Sequence, residues 1–395
     1  MSAQAVTARQ SDLDLLGLDL IPAGARVTLG VSGGGDSMAM LHAVNAWAAN
    51  RDIQLTILTV DHRLRGESAA EADRVASVCH ERGLPHETLV WDTPKPSQKS
   101  ARQARHRLLA RKAFDLKSNY LLLGHTLNDV AETQAMRKSR DITSFKQVGP
   151  MPVSVSPVWP DGRGLSILRP LLLKTRHKLR RWLSEHSLEW IEDPSNQNEA
   201  YERPRIRRTL CETDTGLALT IGAIQSRAEE EATLASLLRE CAQNCDPYGL
   251  IRVSTKTDRS ILHHLFSILI PAAAGGDRVP RAHMRQDAIT RFLDQGITRV
   301  TLGGAWLQRS EDDILIGRAP AKQGYALEDH IFDGRFERSE TSNLPEETAP
   351  YLVRHALPPS RSSWRSLIPD RLNLHASALE ANQRLLTTPR AASPS

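Results

Sequence analysis

The 395-residue chain predicts an α/β protein: a doubly wound parallel sheet, followed by a mainly helical second domain with a small β-hairpin. Three observations lead there. Apolar strand-like runs at 27–31, 53–60, 86–91 and 120–124 alternate with longer stretches of helical periodicity, the pattern of parallel strands joined by crossover helices. The first run passes through Ser32-Gly33-Gly34-Gly35-Asp36-Ser37 into an apolar helix start, a strand-turn-helix suited to wrapping backbone N–H groups around phosphate. Past residue 215 the pattern turns helical at 220–244, 261–270 and 284–293, then reads as two strands joined by an acidic turn over 298–317. Beyond residue 319 periodicity fades. The expected organisation is a domain over 1–215, a helical domain with a terminal hairpin over 216–320, and an irregular segment over 321–395 with a disordered end.

Composition narrows the class. With 40% hydrophobic and 25% charged residues the chain is an ordinary globular protein, and its net charge of +5 makes a polyanionic partner plausible without requiring one. Arg9, Asp12, Asp14 and Asp19 interrupt the first twenty residues, which argues against a secretory leader, and no apolar run reaches membrane-spanning length. A cytoplasmic protein with no membrane partner is expected. Cys79, Cys211, Cys241 and Cys245 match no metal or redox spacing.

Within the first domain, Gly33, Gly34 and Gly35 permit positive φ and close approach to a ligand, and Ser32 and Ser37 add hydroxyl donors. No Gly-Lys-Ser/Thr follows, so this is not a Walker loop. Asp36 beside phosphates reads as a Mg²⁺ contact, direct or through water. The next helix opens with Ser68 and Glu71 as a capping box, buries Val75, Val78 and Cys79, and stops at Gly83. Ligands of doubly wound sheets sit past the carboxyl ends of the strands, so the glycine turn, Asp61-His62 and Gly124-His125 should share one crevice. Asp129 and Glu132, three apart near a helix start, share a face. From 137 to 182 the chain is basic, with Arg169, Arg176 and Arg180 in that run, and a helix from Thr175 carries Leu179, Trp182, Leu183 and His186 as its apolar stripe. Arg203, Arg205, Arg207 and Arg208 form a second basic cluster.

The Ser-Gly-Gly-Gly-Asp-Ser turn resembles the PP-loop of the N-type ATP pyrophosphatases, whose domain is adenine nucleotide α-hydrolase-like. Later motifs narrow the likeness: Val-Asp-His-Arg-Leu-Arg-Gly-Glu-Ser at 60–68, Ala-Arg-Gln-Ala-Arg-His at 101–106, Gly-His-Thr-Leu-Asn-Asp-Val-Ala-Glu-Thr at 124–133, Leu-Arg-Pro-Leu-Leu at 168–172, Trp-Ile-Glu-Asp-Pro-Ser-Asn at 190–196 and Arg-Pro-Arg-Ile-Arg-Arg at 203–208. In this order they resemble the tRNA(Ile)-lysidine synthases through about residue 215, with a weaker likeness at Thr301-Leu302-Gly303-Gly304.

That resemblance implies an enzyme using ATP and Mg²⁺ to adenylate the C2 oxygen of the wobble cytidine of a CAU-anticodon isoleucine tRNA, AMP then being displaced by the side-chain amine of L-lysine. Ser32 to Ser37 would hold phosphates, Asp36 the metal, and Asp129 and Glu132 the lysine ammonium, a metal, or a departing proton. Asp61, His62, Gly124 and His125 line the nucleotide crevice; Arg65 would meet phosphate or the lysine carboxylate, and Arg102 and Arg105 the nucleotide or the tRNA backbone. Arg169, Arg176, Arg180, Arg203, Arg205 and Arg207 would contact tRNA, as would the second domain. A homodimer is compatible with this reading. Against the family pattern, Asn128 replaces an aspartate, Val130 a glutamine, His106 a tyrosine and Arg63 a glycine, and 138–151 lacks most of the usual glycines. The competing readings are a PP-loop thiolase, disfavoured by the cysteine spacing, and a non-catalytic tRNA-binding protein, suggested by Asn128.

Overall fold

Strand and helix alternate through the first half of the chain as β1 (Arg26–Gly30), α1 (Gly35–Ala48), β2 (Gln54–Asp61), α2 (Ser68–Glu81), β3 (His86–Val90), α3 (Gln98–Asp115), β4 (Tyr120–Leu123) and α4 (Leu127–Lys138). There follow β5 (Val153–Val155), β6 (Ser166–Leu168), α5 (Arg176–Glu185), α6 (Asp214–Gln243), β7 (Ile251–Ser254), α7 (Arg259–Ala274) and α8 (Ala282–Leu293). The remainder is β8 (Arg299–Leu302), β9 (Ala305–Ser310), β10 (Asp313–Arg318), β11 (Leu327–Glu328), β12 (Ile331–Phe332), β13 (Phe336–Arg338), β14 (Trp364–Ser366) and α9 (Ile368–Thr387). The structure is a computed structural model and describes residues 13–63, 68–94, 97–138, 149–192, 206, 214–319, 327–328, 331–338 and 364–387.

The chain forms two units interleaved in sequence: Met1–Ser156, Leu165–Glu231 and Ala378–Ser395 make the first, Pro157–Gly164 and Ala232–Ser377 the second. The sheet of the first unit runs β3-β2-β1-β4-β6-β5, parallel except for β5 at the edge. Val27 and Leu29 of β1 and Ile57 and Leu58 of β2 are buried because helices cover both faces, which is why these strands read as apolar runs. Strand β1 lies between β2 and β4, so chain direction away from the first strand reverses there and a crevice opens beyond the carboxyl ends of β1 and β4.

Helix α1 buries residues from Ser37 to Val44 almost continuously and packs against α5. Leu179, Trp182 and Leu183 supply the α5 side of that contact, and Thr175 caps the helix by accepting the Lys178 N–H. Helix α2 buries Val75 and Cys79 and is followed by Gly83 at φ +65°. The Ser68 hydroxyl donates to Asp61 Oδ1 at 2.6 Å, tying the helix start back to β2. A second apolar cluster of this unit joins Leu127, Val130, Met151, Val153 and Leu172 to Ile224 and Ala228 of α6 and to Ala378, Leu385 and Leu386 of α9. The first half of α6 therefore belongs with the sheet, and the unit extends past the expected limit at residue 215.

In the second unit an antiparallel sheet, β7-β10-β9-β8, lies with α7 and α8. The stretch 298–317, expected as two strands, is three, because Gly303-Gly304 makes a tight turn with both φ values positive (+61° and +88°) before the acidic Glu311-Asp312 turn. The segment expected to be irregular beyond 320 contains the small β11-β12-β13-β14 sheet and helix α9. Those strands are two or three residues long, too short for alternation to register, and the polar Asp370, Arg371, Asn373 and His375 dilute the α9 stripe. Among the described residues no helix is long and apolar enough to cross a membrane.

Candidate active site

The glycine turn leaves β1 and enters α1 with Gly34 as N-cap, so the first-turn N–H groups of α1 lack intrahelical acceptors. Gly33 has φ +83°, and a Cβ there would stand 2.5 Å from Ile191 Cδ1, which excludes any other residue without rearrangement. The serines knit the turn together: Ser37 Oγ donates to Gly34 O (2.9 Å) and accepts from Ser32 N–H (3.2 Å), with the two hydroxyl oxygens 3.3 Å apart. The Ile191 N–H donates to Gly33 O at 2.9 Å, and Gly34 and Ile191 form a parallel bridge that lays residues 190–192 along the turn. At the end of β4, a Cβ on Gly124 would come within 3.0 Å of Ser37 Cα, so glycine there lets β4 approach the turn. A cavity of about 520 Å³ opens here, lined by Ser32, Gly34, Gly35, Asp36, Ser37, His62, Arg105, Gly124, His125, Asp129, Arg176, Arg180 and neighbouring apolar residues.

Three carboxylates meet one guanidinium, and Asp36, Asp129 and Arg176 of that group line the cavity. Arg176 Nε donates to Asp36 Oδ2 (2.9 Å), Nη2 to Asp129 Oδ1 (3.1 Å) and Nη1 to Glu132 Oε1 (2.8 Å). The acids are held in turn by local structure. Asp129 Oδ2 accepts from both the N–H and the hydroxyl of Thr126, closing the start of α4 and leaving Oδ1 for the arginine. Asn128 Oδ1 accepts the Arg176 backbone N–H at 2.9 Å, docking the start of α5 onto that of α4. Burial raises the Asp36 carboxyl above its ordinary range, and Arg176 only partly offsets this. Burial works against the Arg176 charge too, but Asp129, Glu132 and Asp36 together hold it above its ordinary value, so it stays a cation. Glu132 is 1% exposed.

The remaining expected residues divide. His62 and His125 line the cavity, both held below the ordinary imidazole value chiefly by burial, and His62 stands edge-on to Trp91. Asp61 faces its own chain: burial would raise its carboxyl, but the Ser68 hydroxyl and the Arg63 N–H hold it below the usual range. Arg102 is exposed, Arg105 lines the cavity, and Arg180 reaches Glu192 across its mouth at 3.2 Å. Two arginines expected on an exposed basic face are elsewhere. Arg169 is 6% exposed, donates to Met151 O (2.7 Å) and Ser154 Oγ (3.0 Å), and is lowered by burial to about 9. Arg176 is in the carboxylate cluster. Its signal was available, since residues 176, 179 and 183 share one helical face and the latter two are the buried leucines. Arg65, Arg203, Arg205 and Arg207 lie outside the described residues.

The family model described as the PP-loop domain matches residues 10–213, more than half of the chain. The chain belongs to the PP-loop domain family. It is 46% identical over 185 residues to a tRNA(Ile)-lysidine synthase of Hyphomonas neptunium, covering 47% of this chain and 50% of that one. It is 36% identical over 304 residues to a tRNA(Ile)-lysidine synthase of Brucella anthropi, covering 72% of this chain and 66% of that one. The match thus spans half to about two thirds of these relatives' length. Among solved structures, the U34-tRNA thiolase NcsA from Methanococcus maripaludis is 17% identical, with a TM-score of 0.45, covering 57% of this chain and 78% of that one.

In this PP-loop domain Asn128 keeps the acceptor oxygen that an aspartate would supply to the Arg176 N–H, and it does so without bringing a fourth negative charge to the cluster. His106, by contrast, is buried with neither ring nitrogen hydrogen-bonded.

Proposed function

We propose that this PP-loop protein ligates L-lysine to the wobble cytidine of a CAU-anticodon isoleucine tRNA. ATP adenylates the C2 oxygen with release of diphosphate; the lysine ε-amine then attacks C2, expelling AMP and leaving lysidine. The observation that carries this reading is the junction of an amide-lined phosphate turn with the Arg176 carboxylate cluster in one cavity, in a chain whose relatives bear the lysidine synthase name.

The first-turn amides of α1 and the turn backbone suit the triphosphate. Among the described residues no group of three or more metal-ligating side chains is spaced to hold a metal unaided. Mg²⁺ needs less than that, taking one or two carboxylates and completing its shell with phosphate oxygens and water. Asp36 fits this role, being an oxygen donor already engaged with a cation and raised by burial. Bound there, the metal would neutralise the departing diphosphate. Asp129 and Glu132 suit the lysine ammonium and its proton, and Arg176 sets their orientation. Arg180, with Arg203, Arg205 and Arg207, suits the tRNA backbone, and a tRNA substrate places the protein in the cytoplasm.

The test is to incubate the protein with ATP, radiolabelled lysine and the CAU-anticodon isoleucine tRNA. Lysine fixed to RNA only when ATP is present is the expected result. Absence of label, in a preparation that binds ATP, would overturn the reading.

A further inference from the structure

Glu192 lines the cavity but has no part in the chemistry above. It stands at the mouth, next to the residue that bridges to Gly34, and its Oε2 accepts from Arg180 Nη2 at 3.2 Å. Its Oε1 accepts from Trp190 Nε1 at 2.8 Å, so one carboxylate holds two donors. Arg180 lies one helical turn after Arg176 in α5, which sets both arginines on one face and both in the cavity lining. Its stem and the Trp190 ring lie against Gly35: a Cβ built there would stand 3.7 Å from Arg180 Cγ and 3.5 Å from Trp190 Cδ1.

Gly35 is the first residue of α1, so the Arg180 side chain passes over the start of a helix whose first-turn N–H groups lack intrahelical acceptors. A cation there gains nothing from the helix dipole, whereas an anion placed between the two satisfies both. Glu192 is the anion that the chain itself supplies. It holds the guanidinium loosely: the two side chains are 49% and 61% exposed, and pairs of that exposure contribute little because water and salt screen them. A phosphate carries more charge than a carboxylate and accepts both prongs of the guanidinium fork.

We infer that Arg180 and Glu192 form a phosphate-exchange pair: an entering phosphate takes the guanidinium from the carboxylate, Arg180 becomes a phosphate ligand, and Glu192 is the internal competitor that sets how tightly the phosphate is held. The inference rests on the ATP-using reading above. Two sources share this oxyanion chemistry, the triphosphate of ATP and the backbone of the RNA. Glu192 is thus a positioning residue, keeping the Arg180 fork at the cavity mouth until a stronger anion arrives. The exchange uses Oε2 alone, so the Trp190 N–H keeps its bond to Oε1 and holds Glu192 in place.

Calorimetric titration of the full chain with Mg²⁺·ATP and, separately, with the CAU anticodon stem-loop tests this. Glu192→Gln keeps an acceptor for the Trp190 N–H and removes only the competing charge, so it should tighten the phosphate ligand by about threefold. A carboxylate that merely braced its loop would weaken the ligand on removal, the opposite sign. Arg180→Gln should weaken the same ligand by about tenfold, with Arg180→Lys intermediate because it keeps the charge but loses the fork. In the Arg180→Gln background the gain from Glu192→Gln should be lost, because no guanidinium remains to be released. A gain confined to ATP assigns the oxyanion to the triphosphate, and one confined to the stem-loop assigns it to the RNA backbone. Weaker or unchanged binding of both ligands in Glu192→Gln, in a protein that binds ATP when unaltered, would overturn the exchange and leave the ligase reading standing. If the unaltered protein binds neither ligand, both readings fall.

Discussion

Arg176 neutralises one of three carboxylates and orients all of them, so its replacement should be felt in stability as well as chemistry. Breaking a buried pair leaves uncompensated charge, and Arg176→Gln should cost roughly 3 kcal/mol in urea unfolding. Asp36→Ala should reduce ATP–diphosphate exchange by about 100-fold or more, the scale of removing a group that stabilises charge in a transition state. Unchanged exchange would remove Asp36 from the phosphate site. A third residue reports on acid stability alone. His42 is buried in α1 and lowered to about 3, chiefly by burial. Between its unfolded value near 6.5 and 3 the unfolded chain binds more protons than the folded one, so the stability from neutral His42 is complete above 6.5 and lost as pH falls. His42→Leu should recover roughly 3 kcal/mol of the loss the unaltered protein suffers at pH 4, and an identical acid profile would show that His42 stays charged when folded.

At the level of elements, the strands of the first unit and the phosphate turn were legible because each carries a local signal: two-sided burial writes apolar runs, and a tight ligand turn demands glycine. Gly33→Ala tests that demand. It imposes a strained φ of +83° and a clash with Ile191, so the ATP dissociation constant should rise by about tenfold or more while far-ultraviolet circular dichroism is retained. The Arg176 cluster was less legible, because a run of basic residues looks the same whether its members face water or acids; only placing residue 176 on the stripe of Leu179 and Leu183 separates the cases. Arg169 was misplaced for a similar reason, since its partners, a backbone carbonyl and the Ser154 hydroxyl, leave no charge pattern in the sequence. The short strands β11 to β14 leave no alternation to read. The Ser68 contact with Asp61 was hidden because a hydroxyl reaching back to the preceding strand leaves no spacing signature in the sequence.

For the whole molecule the instructive feature is a chain that leaves the first unit after Glu231 and rejoins it at Ala378. Periodicity cannot foresee such a return, because the pairing it creates spans 229 residues. Strand β5 is the edge of the main sheet, and an edge needs covering when its outer groups are removed from water. Asn382, 2% exposed, does this as a further strand would: its Oδ1 accepts the Val153 N–H at 2.8 Å and its Nδ2 donates to Val153 O at 3.0 Å. The surrounding Ala378, Leu385 and Leu386 seal the contact against Val130, Met151 and Val153. Asn382→Ala removes two partners at once and leaves a buried donor and a buried acceptor unmatched, each worth about 1–3 kcal/mol, so the loss should be roughly 2–6 kcal/mol. Asn382→Leu should do no better, since an apolar group of similar size still cannot bond the strand. Asn382→Asp should lose less than Asn382→Ala but more than nothing, keeping an acceptor for the Val153 N–H while setting a carboxylate beside its carbonyl. Hydrogen exchange at the Val153 amide distinguishes a local effect from a global one. Fast exchange there, with slow exchange kept in β1 and β2, would mean that the returning helix covers only the sheet edge; loss of protection throughout the sheet would mean that the first unit cannot fold without its last segment.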